Sequence, residues 1–211
     1  MSPHHEFQAH FATCPIVAII RGVRPDEAEA IGEALYDGGI RIIEVPLNSP
    51  DPLDSIGRLA AKLGDRALVG AGTVLSVDSV AAVRDAGGRL IVSPNTNLDV
   101  IRATAAAGLV SCPGYFTPSE AFDAIQAGAT ALKFFPAEAG SPGVIKAQRA
   151  VIPRDIPILA VGGVTSQSLA AWLAAGADGA GVSSALYRPR QSPEETLKKT
   201  TDFIAALRSG V

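Results

Sequence analysis

The chain has 211 residues, of which 47% are hydrophobic and 18% are charged. This length and composition predict one globular domain spanning residues 1–211, and they exclude a disordered chain. The formal net charge of -3 gives no general attraction for nucleic acid or for an anionic membrane, so any anion-binding site must be local.

The N-terminal segment and the cysteines exclude several further classes. Cys14 and Cys112 are far apart and form no CxxC pattern, so we expect neither a disulfide framework nor a zinc site, and a cytoplasmic location fits free thiols. The segment MSPHHEFQAHFATCP lacks the apolar core of a signal peptide, and no run approaches the roughly 18 apolar residues of a membrane span. Its three histidines, His4, His5 and His10, have no cluster of cysteines or carboxylates nearby, which favours solvated side chains over metal ligands.

Eight short apolar runs recur along the chain, and each ends in glycine, proline or a polar residue. In order they are IVAIIRG, RIIEVPL, ALVGAGT, RLIVSP, LVSCPG, ALKFFP, PILAVGG and GAGVSS. Helical patterns separate them, with starts near Pro25, Pro118 and Ser166 and with glycine at several ends. Alternating strands and helices require parallel strands, and eight such units most economically close into a (β/α)8 TIM barrel.

An open, doubly wound sheet is the competing architecture. The barrel is favoured because no G-x-G-x-x-G turn follows the first apolar run and no shift in composition marks a second domain. The segment HEFQAHFA before the first strand predicts a short extra helix that closes the bottom of the barrel. A further short helix is expected after the last strand.

Functional residues of such barrels lie at the carboxyl ends of the strands. The ends of the eight runs supply a carboxylate, two cations, tandem glycines and several hydroxyls: Arg21, Glu44, Thr73, Ser93, Pro94, Cys112, Pro113, Lys133, Gly162, Gly163, Ser183 and Ser184. Most have an ordinary alternative interpretation. Arg21 can be a surface cation with Glu44 as its salt-bridge partner, and Thr73 can be a turn residue.

Lys133 is the exceptional residue, because it interrupts an apolar strand between Leu132 and Phe134. Alternate side chains of a barrel strand face opposite sides, so Lys133 is expected to face the barrel mouth while its two neighbours face the helices. One interpretation is an ion pair with Glu44 that satisfies both charges. The other is a nucleophilic amine that attacks a carbonyl to form a Schiff base, with Glu44 moving protons directly or through a water.

The glycine pair Gly162-Gly163 and the hydroxyl of Ser184 follow the last two strands. The loops after these strands are the usual phosphate-binding place in TIM barrels, where backbone N–H groups face the anion. A glycine pair alone also suits a plain turn, but two signals at the two expected strands predict a phosphate site.

Several stretches together resemble a known family. RIIEVPLNSP, VGAGTVL, IVSPNTN, CPGYFTPSEAFDAIQAGATALKFFPAE and AVGGVT are similar to the 2-keto-3-deoxy-6-phosphogluconate and 6-phosphogalactonate aldolases, class I enzymes that make pyruvate and glyceraldehyde 3-phosphate. The resemblance covers about residues 14–190. It implies Lys133 as the Schiff-base lysine, Glu44 as the proton-shuttling glutamate and Arg21 in the pocket.

The resemblance also implies the remaining site residues and the assembly. It assigns pyruvate binding to Thr73 and Pro94 and phosphate binding to Gly162, Gly163 and Ser184. It implies no cofactor and no metal, a homotrimer, and a small phosphorylated 2-keto-3-deoxy sugar acid as substrate, with no nucleic-acid or membrane partner.

Two departures are similar to the galactonate branch of the family. Gluconate-type members carry an arginine-bearing segment where this chain has PLNS at 46–49, and they read TGG where it has Val161 before the glycine pair. The resemblance therefore implies cleavage of the 6-phosphogalactonate, with the 6-phosphogluconate, also 4-hydroxy-2-oxoglutarate, as the alternative. Arg21 and Asn48 are the candidates for holding the pyruvate carboxylate, and Val161 is the candidate for discrimination at C4.

Two other functions remain open from the residues alone. A phosphosugar isomerase or a thiamine-phosphate-type synthase shares the phosphate loops but needs no inward lysine on the sixth strand. A sugar-phosphate-binding barrel without catalysis is the third hypothesis.

Overall fold

The structure is a computed structural model, and it describes residues 3–209. Nine strands within this range form one sheet: β1 Ile16–Ile19, β2 Ile42–Pro46, β3 Leu68–Gly72, β4 Leu90–Val92, β5 Val110–Cys112, β6 Gly114–Tyr115, β7 Leu132–Phe134, β8 Ile158–Val161 and β9 Gly179–Val182. The helices of this range are α1 Pro3–Thr13, α2 Pro25–Asp37, α3 Pro52–Leu63, α4 Val77–Asp85, α5 Leu98–Ala106, α6 Pro118–Gln126, α7 Pro142–Gln148, α8 Ser166–Ala174 and α9 Pro193–Ser209, with 3-10 turns at Gly64–Arg66 and Ala137–Ala139.

The strands run in the order β5-β4-β3-β2-β1-β9-β8-β7-β6, and every neighbouring pair is parallel. The two outer strands, β5 and β6, are halves of the single run LVSCPGY, so the sheet closes on itself. Pro113 divides them because it has no N–H for the ladder, yet its carbonyl still accepts a hydrogen bond from Lys133 N at 2.9 Å. The predicted TIM barrel is confirmed, with its fifth strand in two pieces.

Two apolar clusters sandwich the barrel wall. The outer cluster joins strands to helices and includes Leu132 and Phe134, whereas the inner cluster fills the barrel. Helix α1 contributes Phe7 and Phe11 to the inner cluster, with their rings stacked 4.9 Å apart. Phe11 packs against the first residue of β9, Gly179, where a Cβ would lie 2.6 Å from the ring. The predicted extra helix therefore closes the end of the barrel where the strands begin.

Local sequence signals set the helix boundaries. Pro25, Pro118 and Ser166 are the first residues of α2, α6 and α8. After α6 the chain reverses at Gly128, which has a φ of 103° that a residue with a side chain rarely adopts.

One detail of the chain differs from expectation. The described residues 183–192, between β9 and α9, form no short helix. Leu186 N and Tyr187 N both donate to Ser183 O in a single turn, and Pro189 disfavours helical geometry at the residue before it. The N-terminal histidines lie on α1, within the predicted extra helix; His4 and His5 are exposed and His10 is half-buried. Over residues 3–209, no helix combines the length and the apolar character that crossing a membrane requires.

Candidate active site

A cavity of about 370 Å³ opens at the carboxyl ends of the strands. Most of the residues predicted for the site line it: Arg21, Glu44, Thr73, Pro94, Lys133, Val161, Gly162, Gly163, Ser183 and Ser184. Phe135, Thr165 and Arg188 line it as well and were not among the predicted residues. Asn48, Ser93, Cys112 and Pro113 do not line it.

Lys133 projects from β7 into this cavity and is only 7% exposed. Its neighbours Leu132 and Phe134 face the helices, as the strand alternation predicts. Its Nζ lies 4.8 Å from the centroid of the Phe135 ring, and no carboxylate within residues 3–209 forms an ion pair with it. The direct ion pair with Glu44 is therefore absent from this arrangement.

Glu44 comes from the middle of β2 and is 2% exposed. Its Oε2 atom is buried and has no hydrogen-bond partner. Burial raises the pKa of this carboxyl, and the nearby charges of Lys133 and Arg21 oppose the rise only in part. A buried carboxyl of raised pKa beside an amine is suited to exchanging a proton with a bound substrate.

Cys112 lies below the two charged groups, in the inner part of the barrel with Phe7 and Leu90. Burial is the main cause that raises the pKa of its thiol to about 12, and Glu44 adds to the rise. The thiol is therefore protonated at neutral pH and is a poor nucleophile. Cys14 is also buried and free, and burial raises the pKa of its thiol too.

Arg21 and Asn48 meet above the cavity, on the loops that follow β1 and β2. The Arg21 guanidinium donates a hydrogen bond to Asn48 Oδ1. The same two loops are joined by Gly22 N, which donates to Ser49 Oγ at 2.9 Å. Arg21 lines the cavity and Asn48 does not, so Asn48 reaches the site through Arg21.

Thr73 and Pro94 follow β3 and β4 on the wall beyond Glu44. Thr73 has a φ of 58°, which is unusual for a β-branched residue and indicates a strained turn at the rim. Ser93, by contrast, is buried and its hydroxyl donates to Val74 O at 2.8 Å. Ser93 therefore supports the loop and does not face the cavity.

The loops after β8 and β9 form the opposite wall. Gly162 and Gly163 have φ values of 111° and 66°, and Ser184 and Arg188 are exposed next to them in the same cavity. Within the described part of the chain Arg188 has no ion-pair partner. The sequence signal for Arg188 is its spacing, because it is a basic residue four positions after Ser184.

The donor set suits organic anions and not a metal ion. Over residues 3–209, no three His, Cys, Asp or Glu side chains gather where they could hold a metal. The cavity instead offers two arginines at its rim and an amine and a carboxyl at its floor.

Comparison with known proteins identifies the family. Residues 7–201 match the family described as KDPG and KHG aldolase. The 2-dehydro-3-deoxy-6-phosphogalactonate aldolase of Escherichia coli (strain K12) is 48% identical over 197 residues, covering 93% of this chain and 96% of that protein. A solved structure described as native KDPGal has a TM-score of 0.91 at 48% identity, covering 93% of this chain and 95% of the other. A cube-shaped cage designed by fusing symmetric oligomeric domains contains a chain with a TM-score of 0.90 at 48% identity, covering 92% of this chain and 72% of the other. The chain belongs to the KDPG and KHG aldolase family.

Proposed function

We propose that the cavity cleaves 2-dehydro-3-deoxy-6-phosphogalactonate to pyruvate and D-glyceraldehyde 3-phosphate, with Lys133 as the Schiff-base nucleophile and Glu44 as the proton shuttle. The chain is a class I aldolase by family and hence a carbon–carbon lyase. The observation that carries the assignment of roles is the buried Lys133 amine, which faces the cavity beside a buried Glu44. Among residues 3–209 no carboxylate forms an ion pair with it.

The chemistry begins when the Lys133 amine adds to the C2 carbonyl and water leaves, giving a protonated imine. The imine withdraws electrons, so the C3–C4 bond breaks as Glu44, through a water, takes the proton of the C4 hydroxyl. Glyceraldehyde 3-phosphate leaves, and the two electrons of the broken C3–C4 bond remain on the pyruvate part, which becomes an enamine. Glu44 returns a proton to C3, and hydrolysis of the imine releases pyruvate and restores the amine.

The two anionic ends of the substrate fit the two arginines of the rim. Arg21 binds the pyruvate carboxylate, and Asn48 is a positioning residue that fixes the guanidinium. Thr73 and Pro94 complete the pyruvate end. At the other end the phosphate binds the loops after β8 and β9: Gly162, Gly163, Ser184 and Arg188.

Two observations support the galactonate epimer as the substrate. One is Val161, and the other is the similarity to the 2-dehydro-3-deoxy-6-phosphogalactonate aldolase of E. coli. Val161 is buried at the end of β8 and lines the cavity. The phosphogluconate epimer and 4-hydroxy-2-oxoglutarate are the alternatives. Membership of an aldolase family argues against the isomerase, the thiamine-phosphate-type synthase and the barrel without catalysis.

We also propose a single catalytic domain over residues 1–211, assembled as a homotrimer in the cytoplasm. The 48%-identical chain in a cage built from symmetric oligomeric domains supports an oligomer, and light scattering of the purified protein tests the number of subunits. Two buried free thiols support a reducing compartment.

One experiment tests the central assignment. Borohydride is added with pyruvate, and intact-mass and peptide analysis locate any reduced adduct. We expect one adduct per chain, on Lys133, and product analysis with both epimeric phosphosugars then gives the substrate. No adduct, or an adduct on another lysine, would overturn the proposal.

A further inference from the structure

The GAG sequence at the end of β3 carries two glycines whose missing side chains have different consequences. Gly72 is the last residue of the strand and pairs with Pro46 of β2. Its carbonyl accepts a hydrogen bond from Leu47 N at 2.8 Å. Gly72 is not among the glycines with positive φ, so its backbone conformation is open to any residue.

The constraint at Gly72 comes from Glu44. A Cβ placed on Gly72 would lie 1.3 Å from Glu44 Oε2, 2.4 Å from Cδ and 2.8 Å from Oε1. These three nearest atoms all belong to one carboxylate, and none belongs to the backbone. The Glu44 carboxylate therefore occupies the space that a side chain at position 72 would take.

Gly70, two residues earlier, shows a purely structural requirement. A Cβ there would lie 2.0 Å from Leu90 O and 2.6 Å from Leu90 C. These are backbone atoms of β4, which pairs with β3 in the barrel. A side chain at position 70 would separate two strands, whereas one at position 72 would displace only a side chain.

The backbone position of Glu44 is fixed by its neighbouring strands. Glu44 pairs with Ile19 of β1 and with Gly70 of β3 in the barrel ladder, so the strand cannot shift to relieve a clash. The charged and titratable groups that act on it are Lys133 from β7, Arg21 from the loop after β1 and Cys112 from β5. Each of these groups comes from its own strand or loop, so moving the Glu44 carboxylate changes its distance to all three.

We propose that Gly72 is a positioning residue of the active site: the notch left by its missing side chain seats the Glu44 carboxylate within reach of the substrate held on Lys133. The inference rests on the proposed proton-shuttling role of Glu44. It explains why one oxygen of that carboxyl is buried without a hydrogen-bond partner, since Oε2 is the atom closest to the notch.

The kinetic test is Gly72→Ala. We expect kcat to fall by about 10²-fold, because a displacement of about 1 Å at a reacting group has an effect of that size, with KM changed little. Borohydride should still trap pyruvate on Lys133, since the nucleophile is untouched. Gly57→Ala on α3, where the nearest atom to an added Cβ is Ala86 O at 3.4 Å, is the matched control and should keep the wild-type kcat.

Rescue separates positioning from general damage. Glu44→Asp shortens the side chain by one methylene and withdraws the carboxylate from the notch. The double variant Gly72→Ala/Glu44→Asp should have a kcat well above the value predicted by multiplying the two single effects. Effects that simply multiply would overturn the proposal.

A stability cycle covers the case in which Gly72→Ala alone folds poorly. In the Glu44→Ala background the notch is empty, so the added methyl of Gly72→Ala should leave the urea midpoint unchanged, although it lowers the midpoint in the wild-type background. Gly70→Ala should lower the midpoint in both backgrounds. An equal loss for Gly72→Ala in both backgrounds would contradict the inference, and this cycle is independent of whether the wild-type enzyme forms an imine.

Discussion

The Nζ atom of Lys133 lies 4.8 Å from the centroid of the Phe135 ring, two residues further along the chain. Alternate residues of a strand face the same side, so Phe135 follows Lys133 toward the cavity while Phe134 packs among the helices. The face of an aromatic ring attracts an ammonium group and equally a protonated imine. The ring can thus stabilise the positive charge that this nitrogen carries once the imine has formed.

The first prediction concerns the nucleophile. Lys133→Ala should abolish turnover and pyruvate-dependent borohydride labelling, because no other amine replaces it. The fold should persist, since truncating a side chain that faces the cavity leaves no sealed void in the core. Lys146→Ala, at an exposed position on α7, is the control and should keep both activities. Labelling that survives in Lys133→Ala would identify a different nucleophile.

The second prediction concerns proton transfer. Glu44→Gln should lower kcat by about 10² to 10⁴, which is the usual contribution of a general acid or base. The imine with pyruvate should still form, because Lys133 remains. Steady-state kinetics and borohydride trapping on the same preparation measure both. An unchanged kcat would return Glu44 to a purely structural role.

Glu44→Gln should lower kcat, but it should raise the stability of the folded protein as the pH rises. Burial raises the pKa of Glu44 in the folded protein, so the folded state binds this proton more tightly than the unfolded chain. The stability that this group contributes is fully present below its unfolded pKa and is lost as the pH rises through its folded pKa. Glu44→Gln has no such loss.

Urea unfolding of Glu44→Gln and the wild type from pH 4 to pH 8 therefore gives the third prediction. The variant should gain relative to the wild type as the pH rises, by about 1.4 kcal/mol for each pH unit between the two pKa values. A difference that does not change with pH would show that the carboxyl is not desolvated.

The barrel was accessible from the sequence because each unit carries its own local signals. Apolar runs, proline or serine helix starts and glycine helix ends are all short-range features, and so was the inward direction of Lys133, which depends only on strand alternation. The division of the fifth strand also follows from one residue, Pro113, but its position in the ladder required the register.

Contacts between distant loops were less accessible. Nothing near Asn48 in the sequence shows that Arg21 approaches it, because the contact depends on how two neighbouring strand ends pack. Ser93 was expected at the rim for its polarity alone, yet its hydroxyl is used by Val74 O. The notch at Gly72 was hidden for the same reason, since the atom that fills it comes from another strand.

The fourth prediction concerns the phosphate end of the cavity. Ser184→Ala should lower kcat/KM, and the corresponding loss of transition-state binding free energy should be about 1.5–3 kcal/mol, the size of a hydrogen bond to a charged group. Arg188→Ala should cost about 1 kcal/mol or below, because an ion pair at an exposed position is weak.

Both losses should vanish with a substrate that lacks the 6-phosphate, which should itself be processed with much lower kcat/KM because remote binding energy positions the reacting carbons. Arg190→Ala is the control, since Arg190 is exposed but does not line the cavity. Equal losses with and without the phosphate would remove these residues from the phosphate site.

The last prediction concerns Val161, which is buried where β8 reaches the cavity. The two epimeric substrates differ in configuration at C4, the carbon beside the breaking bond. Valine offers no hydrogen bond, so we expect the C4 hydroxyl of the phosphogluconate to be poorly satisfied at this position and the phosphogalactonate to lose little. Because an unsatisfied polar group can discriminate strongly, the wild type should prefer the phosphogalactonate or accept both epimers. Val161→Thr adds one hydroxyl at nearly constant size and should shift the ratio of kcat/KM values toward the phosphogluconate by about 1 kcal/mol or more. The measurement is kcat/KM for both epimers with both proteins. A wild type that strongly prefers phosphogluconate, or a variant with an unchanged ratio, would exclude Val161 from substrate selection and leave the imine chemistry intact.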